Sequence, residues 1–207
     1  FRVGSPAADT GTMSLIALRD ILGNGRPDSV TREPDMGAFE GGFGPPAALG
    51  HWPFDEGTGT AAGDTAPGMD NGTLTNGPTW STSVAPIDGG TFSLEFDGTN
   101  DYVQLNNGKP LFQLDGPMTI SAWICPRDVS DVTIVDSTQV GKGFVLRIGS
   151  SGLAEFAIDR NPEVIAASTT ALTVDKWYHL AGVFDGTNLQ IFVNGLDVTN
   201  GAPVLSG

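Results

Sequence analysis

A chain of 207 residues can hold one sizeable core, or one domain with an appended piece. Lys and Arg number 10 against 24 Asp and Glu, a formal charge of −14, and a field of that sign repels phosphate backbones and anionic membranes, so no nucleic-acid partner is expected. Charged residues make up only 16% while Gly (29) and Pro (14) exceed a fifth of the chain, a balance that suits short strands and tight turns rather than helices.

No apolar window approaches the roughly 18 residues of a membrane helix, and no signal-peptide pattern is present, so membrane insertion is not expected. The chain opens on Phe1, not Met, which reads as a start inside a longer polypeptide. Cys125, the single cysteine, has no internal disulfide partner and reads as a small buried hydrophobe at the apolar run that begins at Ile120.

The first forty residues alternate turn clusters with short apolar pieces: S-P-A-A-D-T-G (5–11), R-D-I-L-G-N-G-R-P (19–27) and P-D-M-G-A-F-E (34–40). They carry too little apolar surface for a core of their own. These motifs resemble the closing coil of secreted bacterial parallel β-helix proteins of the pectate-lyase-like type. The resemblance implies that residues 1–40 are the tail of a solenoid whose body lies outside this chain. Residues 41–50, G-G-F-G-P-P-A-A-L-G, fit an interdomain linker.

From His51 onward the pattern is all-β. Thr91 to Val103, T-F-S-L-E-F-D-G-T-N-D-Y-V, alternates Phe92, Leu94 and Phe96 with polar residues and reads as a hairpin reversed by D-G-T-N. Asp97, Asn100 and Asp101 crowd three oxygen-bearing side chains into that turn, which fits either a plain turn or a calcium corner. Thr119 to Ile124 reads as a central strand, with Ile120, Ala122 and Ile124 on one face and Ser121 and Trp123 on the other; Trp123 and Trp177 are expected in the core. Val132–Val135, Phe144–Ile148, Leu153–Ile158 and Val164–Ala167 follow at spacings of about ten residues, which predicts a two-sheet antiparallel sandwich. Trp177–Phe184 and Leu189–Val193 flank a second F-D-G-T-N (184–188), a strong hairpin signal. The two turns share their residues until the next position, Asp101 in the first and Leu189 in the second. A metal site at the first turn therefore rests on Asp101, with Asp97 beside it, and has no counterpart at the second.

Residues 51–207 resemble a laminin-G-like jelly roll of the concanavalin A-like type. The matching stretches are W-P-F-D-E-G-T-G-T-A-A-G-D (52–64), N-G-T-L-T-N-G-P-T-W (71–80), L-E-F-D-G-T-N-D-Y-V (94–103), M-T-I-S-A-W-I-C-P (118–126), W-Y-H-L-A-G-V-F-D-G-T (177–187) and L-Q-I-F-V-N-G (189–195). Such domains continue past the V-N-G strand with further strands, so the stop at Gly207 reads as a sandwich lacking its last strands. The resemblance also implies a calcium ion held by acidic residues at one rim. Asp97, Asn100 and Asp101 are the first candidates, then Asp55 and Asp64, with Asp70 and Asn71 nearby.

Catalysis finds less support. A glycoside hydrolase of this type would place carboxylates as E-x-D-x-x-E on one strand, and Glu155, Asp159 and Glu163 do not keep that spacing. They read as outward polar positions and a turn. His179 shares a strand face with Ala181 and Val183 and reads as packed, and neither a G-x-S-x-G elbow nor a zinc ligand set occurs. Trp80 and Tyr102, next to turns, are the aromatic candidates for stacking on a sugar ring. The expected function is a non-catalytic, calcium-stabilised extracellular binding module, secreted or on a bacterial cell surface, with a glycan or an extracellular protein as its partner. The alternatives are a targeting module for a polysaccharide lyase or hydrolase whose active site lies outside this chain, and a structural spacer in an adhesin.

Overall fold

The computed structural model describes residues 48–67, 70–87, 89–105, 116–137, 143–158 and 163–201. The β-helix resemblance at 1–40 and most of the linker at 41–47 lie outside them. Contacts divide the chain into two compact units, Phe1–His51 with Thr65–Met69, and Trp52–Asp64 with Asp70–Gly207; every described strand belongs to the second.

Short strands open this unit: β1 (Ala61–Ala62), β2 (Gly72–Thr75), β3 (Thr79–Ser81), β4 (Ser93–Glu95) and β5 (Tyr102–Gln104). Longer ones follow: β6 (Met118–Ile124), β7 (Val132–Ser137), β8 (Phe144–Ile148), β9 (Leu153–Ile158), β10 (Val164–Ala171), β11 (Tyr178–Phe184) and β12 (Leu189–Val193), with β13 (Leu196–Asp197) last. The described residues contain no helix. Two four-stranded antiparallel sheets, in the orders β10-β9-β8-β7 and β13-β12-β11-β6, face each other, and two small sheets, β1-β2-β5 and β3-β4, accompany them. The all-β antiparallel sandwich read from the sequence is the observed fold.

Period-two alternation selects the inner faces. Phe144, Leu146 and Ile148 of β8 point inward, as do Ala154, Phe156 and Ile158 of β9, all at 2% exposure or less. Leu180 and Phe184 of β11 and Leu189 and Ile191 of β12 meet them from the other sheet. Between Leu180 and Phe184 stands Gly182, and the Phe156 ring occupies the space its side chain would take. At the bulge in β10 the register shifts between Ala167 and Ala171. The buried Ser168 hydroxyl accepts the Ala154 N–H (3.0 Å) and donates to the Thr170 carbonyl (2.9 Å), which replaces the ladder bond lost there.

Four expectations are corrected. Residues 91–103 are not a hairpin: β4 pairs with β3, and β5 pairs with β2. Where the second turn closes with the Asp185 N–H on the Asn188 carbonyl (3.2 Å), the first has the Asp101 carboxylate on the Asp97 N–H (3.1 Å). A side chain takes the position of the first ladder rung, and the two strands leave for different sheets. Among the described residues β6 pairs with β11 alone and stands at the edge of its sheet, not at its centre. Trp123 is 37% exposed on its outer face, and Trp177 is half-buried rather than in the core. Cys125 is half-buried too, just beyond β6, where desolvation and the nearby Asp175 push its thiol pKa up.

Candidate functional site

The corner at 97–101 is built from backbone needs. Gly98 takes φ 76°, which lets the chain reverse, and the Asp97 Oδ1 accepts the N–H groups of Thr99 (2.7 Å) and Asn100 (3.4 Å). Asn76, itself at φ 66°, donates its side-chain amide to the Asn100 carbonyl (2.8 Å) and ties the β2–β3 turn to this corner. Beside Asn76, Gly77 keeps the Asp101 carboxylate within reach, its Oδ1 lying 3.8 Å from where a Cβ would stand. Asp97 Oδ2 and Asp101 Oδ1 take no hydrogen bond among the described residues, so the corner presents two carboxylate oxygens of open capacity. The twin turn uses Asp185 differently: Oδ1 caps Thr187 (2.8 Å) and Asn188 (2.7 Å), and Oδ2 takes the Asn188 amide (2.9 Å).

The other two metal candidates stand apart from this corner. Asp55 Oδ1 accepts the N–H groups of Thr91 (2.7 Å) and Phe92 (3.0 Å) and the Thr91 hydroxyl (3.2 Å), which ties the opening segment to the approach of β4. Asp64 is buried; its Oδ2 accepts the Asp70 N–H (2.9 Å), and its own N–H donates to Asn71 Oδ1 (3.0 Å). Among the described residues no three His, Cys, Asp or Glu side chains converge on one point. Asp97 and Asp101 are the pair brought together.

Asp55 carries a pH prediction. The Phe92 and Thr91 N–H groups hold its carboxyl below the usual carboxylate range. Its folded pKa lies below the unfolded one, so its contribution is complete above about pH 4 and is lost as pH falls through the depressed folded value. Asp55→Ala is expected to cost about 1 kcal/mol at pH 7 and progressively less at acid pH. Paired denaturant titrations from pH 7 to pH 2.5 check this, and a gap that stays constant refutes it.

The aromatic candidates sit on the small sheets. Trp80 in β3 is half-buried, with its indole N–H on the Gly59 carbonyl (3.0 Å), and Tyr102 in β5 is 46% exposed. Sequence reasoning missed a third. Trp123 lies opposite His179 in the β6–β11 register, ring centroids 5.3 Å apart at 50°. The signal was present in the alternation, which set Trp123 beside Ser121 and opposite Ile120, Ala122 and Ile124.

Two features decide the chemistry. Across β8 and β9 on the outer sheet face, Arg147 Nε meets Glu155 Oε2 (2.7 Å), while its Nη1 and Nη2 hold Glu163 at 3.1 and 3.0 Å. Burial would lower the guanidinium pKa, but hydrogen bonds to Glu163 and Glu155 outweigh it and hold the group charged. Both carboxylates are thus clamped on a cation. Beside the second turn lies an open groove of about 520 Å³ lined by Asp185, Asn188, Gln190, Asp197 and Thr199. Thr199 bonds Asp197 Oδ1 through its hydroxyl (2.7 Å) and N–H (3.0 Å), Gln190 donates to Oδ2 (2.8 Å), and together they hold the Asp197 carboxyl below its usual range.

No curated protein matches the chain. Among solved structures it is similar to a 2.1 Å crystal structure of an S-layer domain-containing protein (residues 221–444) from Clostridium thermocellum ATCC 27405, at 26% identity and a TM-score of 0.46, over 73% of this chain and 71% of that one. A laminin G-type family model of the concanavalin A-like lectin/glucanases superfamily matches residues 97–204, more than half of the chain and every strand from β5 to β13. With the antiparallel sandwich and its alternating core, that match places the chain in the family: it belongs to the concanavalin A-like lectin/glucanases superfamily.

Proposed function

We propose that this chain is a non-catalytic extracellular binding module for a glycan or a protein surface, secreted or displayed on a bacterial cell, and steadied by a calcium ion at the Asp97–Asp101 corner. The observation that carries the binding reading is the open groove of about 520 Å³, where the Asn188 and Gln190 side-chain amides, each with one N–H on a carboxylate, keep a carbonyl oxygen and a second N–H for a polar ligand. The Arg147 clamp supports the non-catalytic part, because Glu155 and Glu163 lack the free acid and base that glycoside hydrolysis requires. The experiment is a glycan array probed with the intact chain; retention of no glycan would falsify lectin-like binding and favour the spacer.

Calcium is tested separately. At the corner, Asp97 Oδ2 and Asp101 Oδ1 would supply carboxylate ligands, with carbonyls and water completing the six to eight oxygens the ion takes. An ion bound only by the folded state at a hundred times its Kd adds about 2.7 kcal/mol of stability. Millimolar calcium is expected to raise the melting temperature by several degrees over chelator. Asp101→Asn, which keeps an oxygen for the Asp97 N–H, removes the rise, and Asp185→Asn leaves it intact. Equal melting in calcium and chelator sinks the site.

A further inference from the structure

The cross-strand registers make one continuous outer face of β6, β11, β12 and β13. Trp123 stands opposite His179; Ser121 opposite Ala181, which pairs with Phe192 and then Asp197; Thr119 opposite Val183, which pairs with Gln190. Trp123 and Gln190 therefore lie on the same side of one sheet, two strand intervals apart across the strands and four residues apart along them, about 16 Å in all. The exposed ring sits at one corner of this face, and the polar groove around Gln190 and Asp197 opens at the other.

We propose that this face is the glycan site, with Trp123 as the stacking platform and Gln190 and Asp197 as the hydrogen-bonding end, and that its ligand is a neutral saccharide chain. The inference rests on the binding reading above and names its site and ligand class. The Trp123 indole offers an apolar face for the C–H side of a pyranose, and the His179 ring packs beside it from the neighbouring strand. Several sugar units away, Gln190 and Asp197 offer a donor and acceptors for hydroxyls. The outward positions between Trp123 and Asp197 hold no Lys or Arg, and Asp197 is held ionised, so a uronic-acid polymer meets repulsion and no cation. Charge thus selects a neutral chain over an acidic one.

The test uses neutral linear hexasaccharides of glucose, mannose and galactose, and hexagalacturonate as the acidic probe, titrated by calorimetry against the full chain. At least one neutral probe is expected to bind and the acidic probe not to. Trp123→Ala should weaken binding at least tenfold, about 1.4 kcal/mol, while Trp123→Phe retains most of it and Gln190→Ala loses severalfold. Unchanged melting of the exposed-site variants keeps the comparison valid. Neutral binding that survives Trp123→Ala overturns this site while leaving the binding-module reading intact. Failure of every neutral probe overturns this site and ligand class, while the binding-module reading stands or falls on the glycan array. A dimer in sedimentation that Trp123→Ala dissolves would assign the face to a second copy of the chain and also overturn the proposal.

Discussion

Gly182→Ala is expected to destabilise the sandwich by about 3 kcal/mol, at the upper end of what overpacking usually costs. Gly182 does not sit in the left-handed region, so alanine meets no backbone penalty there. The cost is steric: the added methyl would fall against the Phe156 ring, 2.5 Å from Cδ2 and 2.8 Å from Cβ. A contact with Cβ cannot be relieved by rotating the ring, because Cβ moves only with the backbone of β9. Phe156 is fully buried, so it has no solvent side to move to, and the two sheets must separate or β11 must shift. Phe156→Ala alone should cost about 4 kcal/mol through the cavity it leaves. The decisive measurement is the double-mutant cycle by chemical denaturation. In the Phe156→Ala background the ring is gone and only the Cβ contact remains, so the cost of Gly182→Ala should fall well below its value in the native chain. If the two costs simply add, Gly182 is not conserving room for the ring and the packing account fails.

How legible this fold was depends on the element. β8, β9 and β12 appear with the bounds their sequence implies, because strict alternation inside a dry core leaves one register that buries the apolar set. β10 runs four residues past its apolar stretch, to Ala171, since the Ser168 hydroxyl repairs the ladder where polar Thr169 and Thr170 follow. The strand pairing around the first F-D-G-T-N was not legible. Both copies share the Asx turn, and what separates a hairpin from a crossing is whether a backbone carbonyl or the Asp101 carboxylate reaches back to the first residue. Asp101 is the residue by which the sequence separates the two turns, and its observed bond is to the Asp97 N–H. Trp123 misled for another reason: an apolar residue on a strand's second face reads equally as a buried layer or an exposed platform, and only the arrangement of sheets decides.

Arg147→Ala is expected to cost about 2 kcal/mol, less than for a fully buried pair because the guanidinium side chain is 27% exposed and water screens part of the loss. The arrangement is asymmetric. Glu155, with a side chain 15% exposed, gives one oxygen to Nε, whereas Glu163, at 34%, takes both terminal nitrogens in a fork. Gly149 makes room for the inner partner: a Cβ there would lie 2.9 Å from Glu155 Oε2 and 2.6 Å from Cδ. Removing the cation leaves two like charges on one patch, and the half-buried Glu155 suffers more because it has less water to turn to. Adding Glu155→Gln to Arg147→Ala should therefore recover more stability than adding Glu163→Gln. Lysine at 147 should recover little, since a point charge cannot serve Nε and a fork at once. If Arg147→Lys matches the native chain in denaturant, or Glu163→Gln rescues better than Glu155→Gln, the clamp is only a surface ion pair. The carboxylates would then be available for other work, and the non-catalytic reading would lose its support.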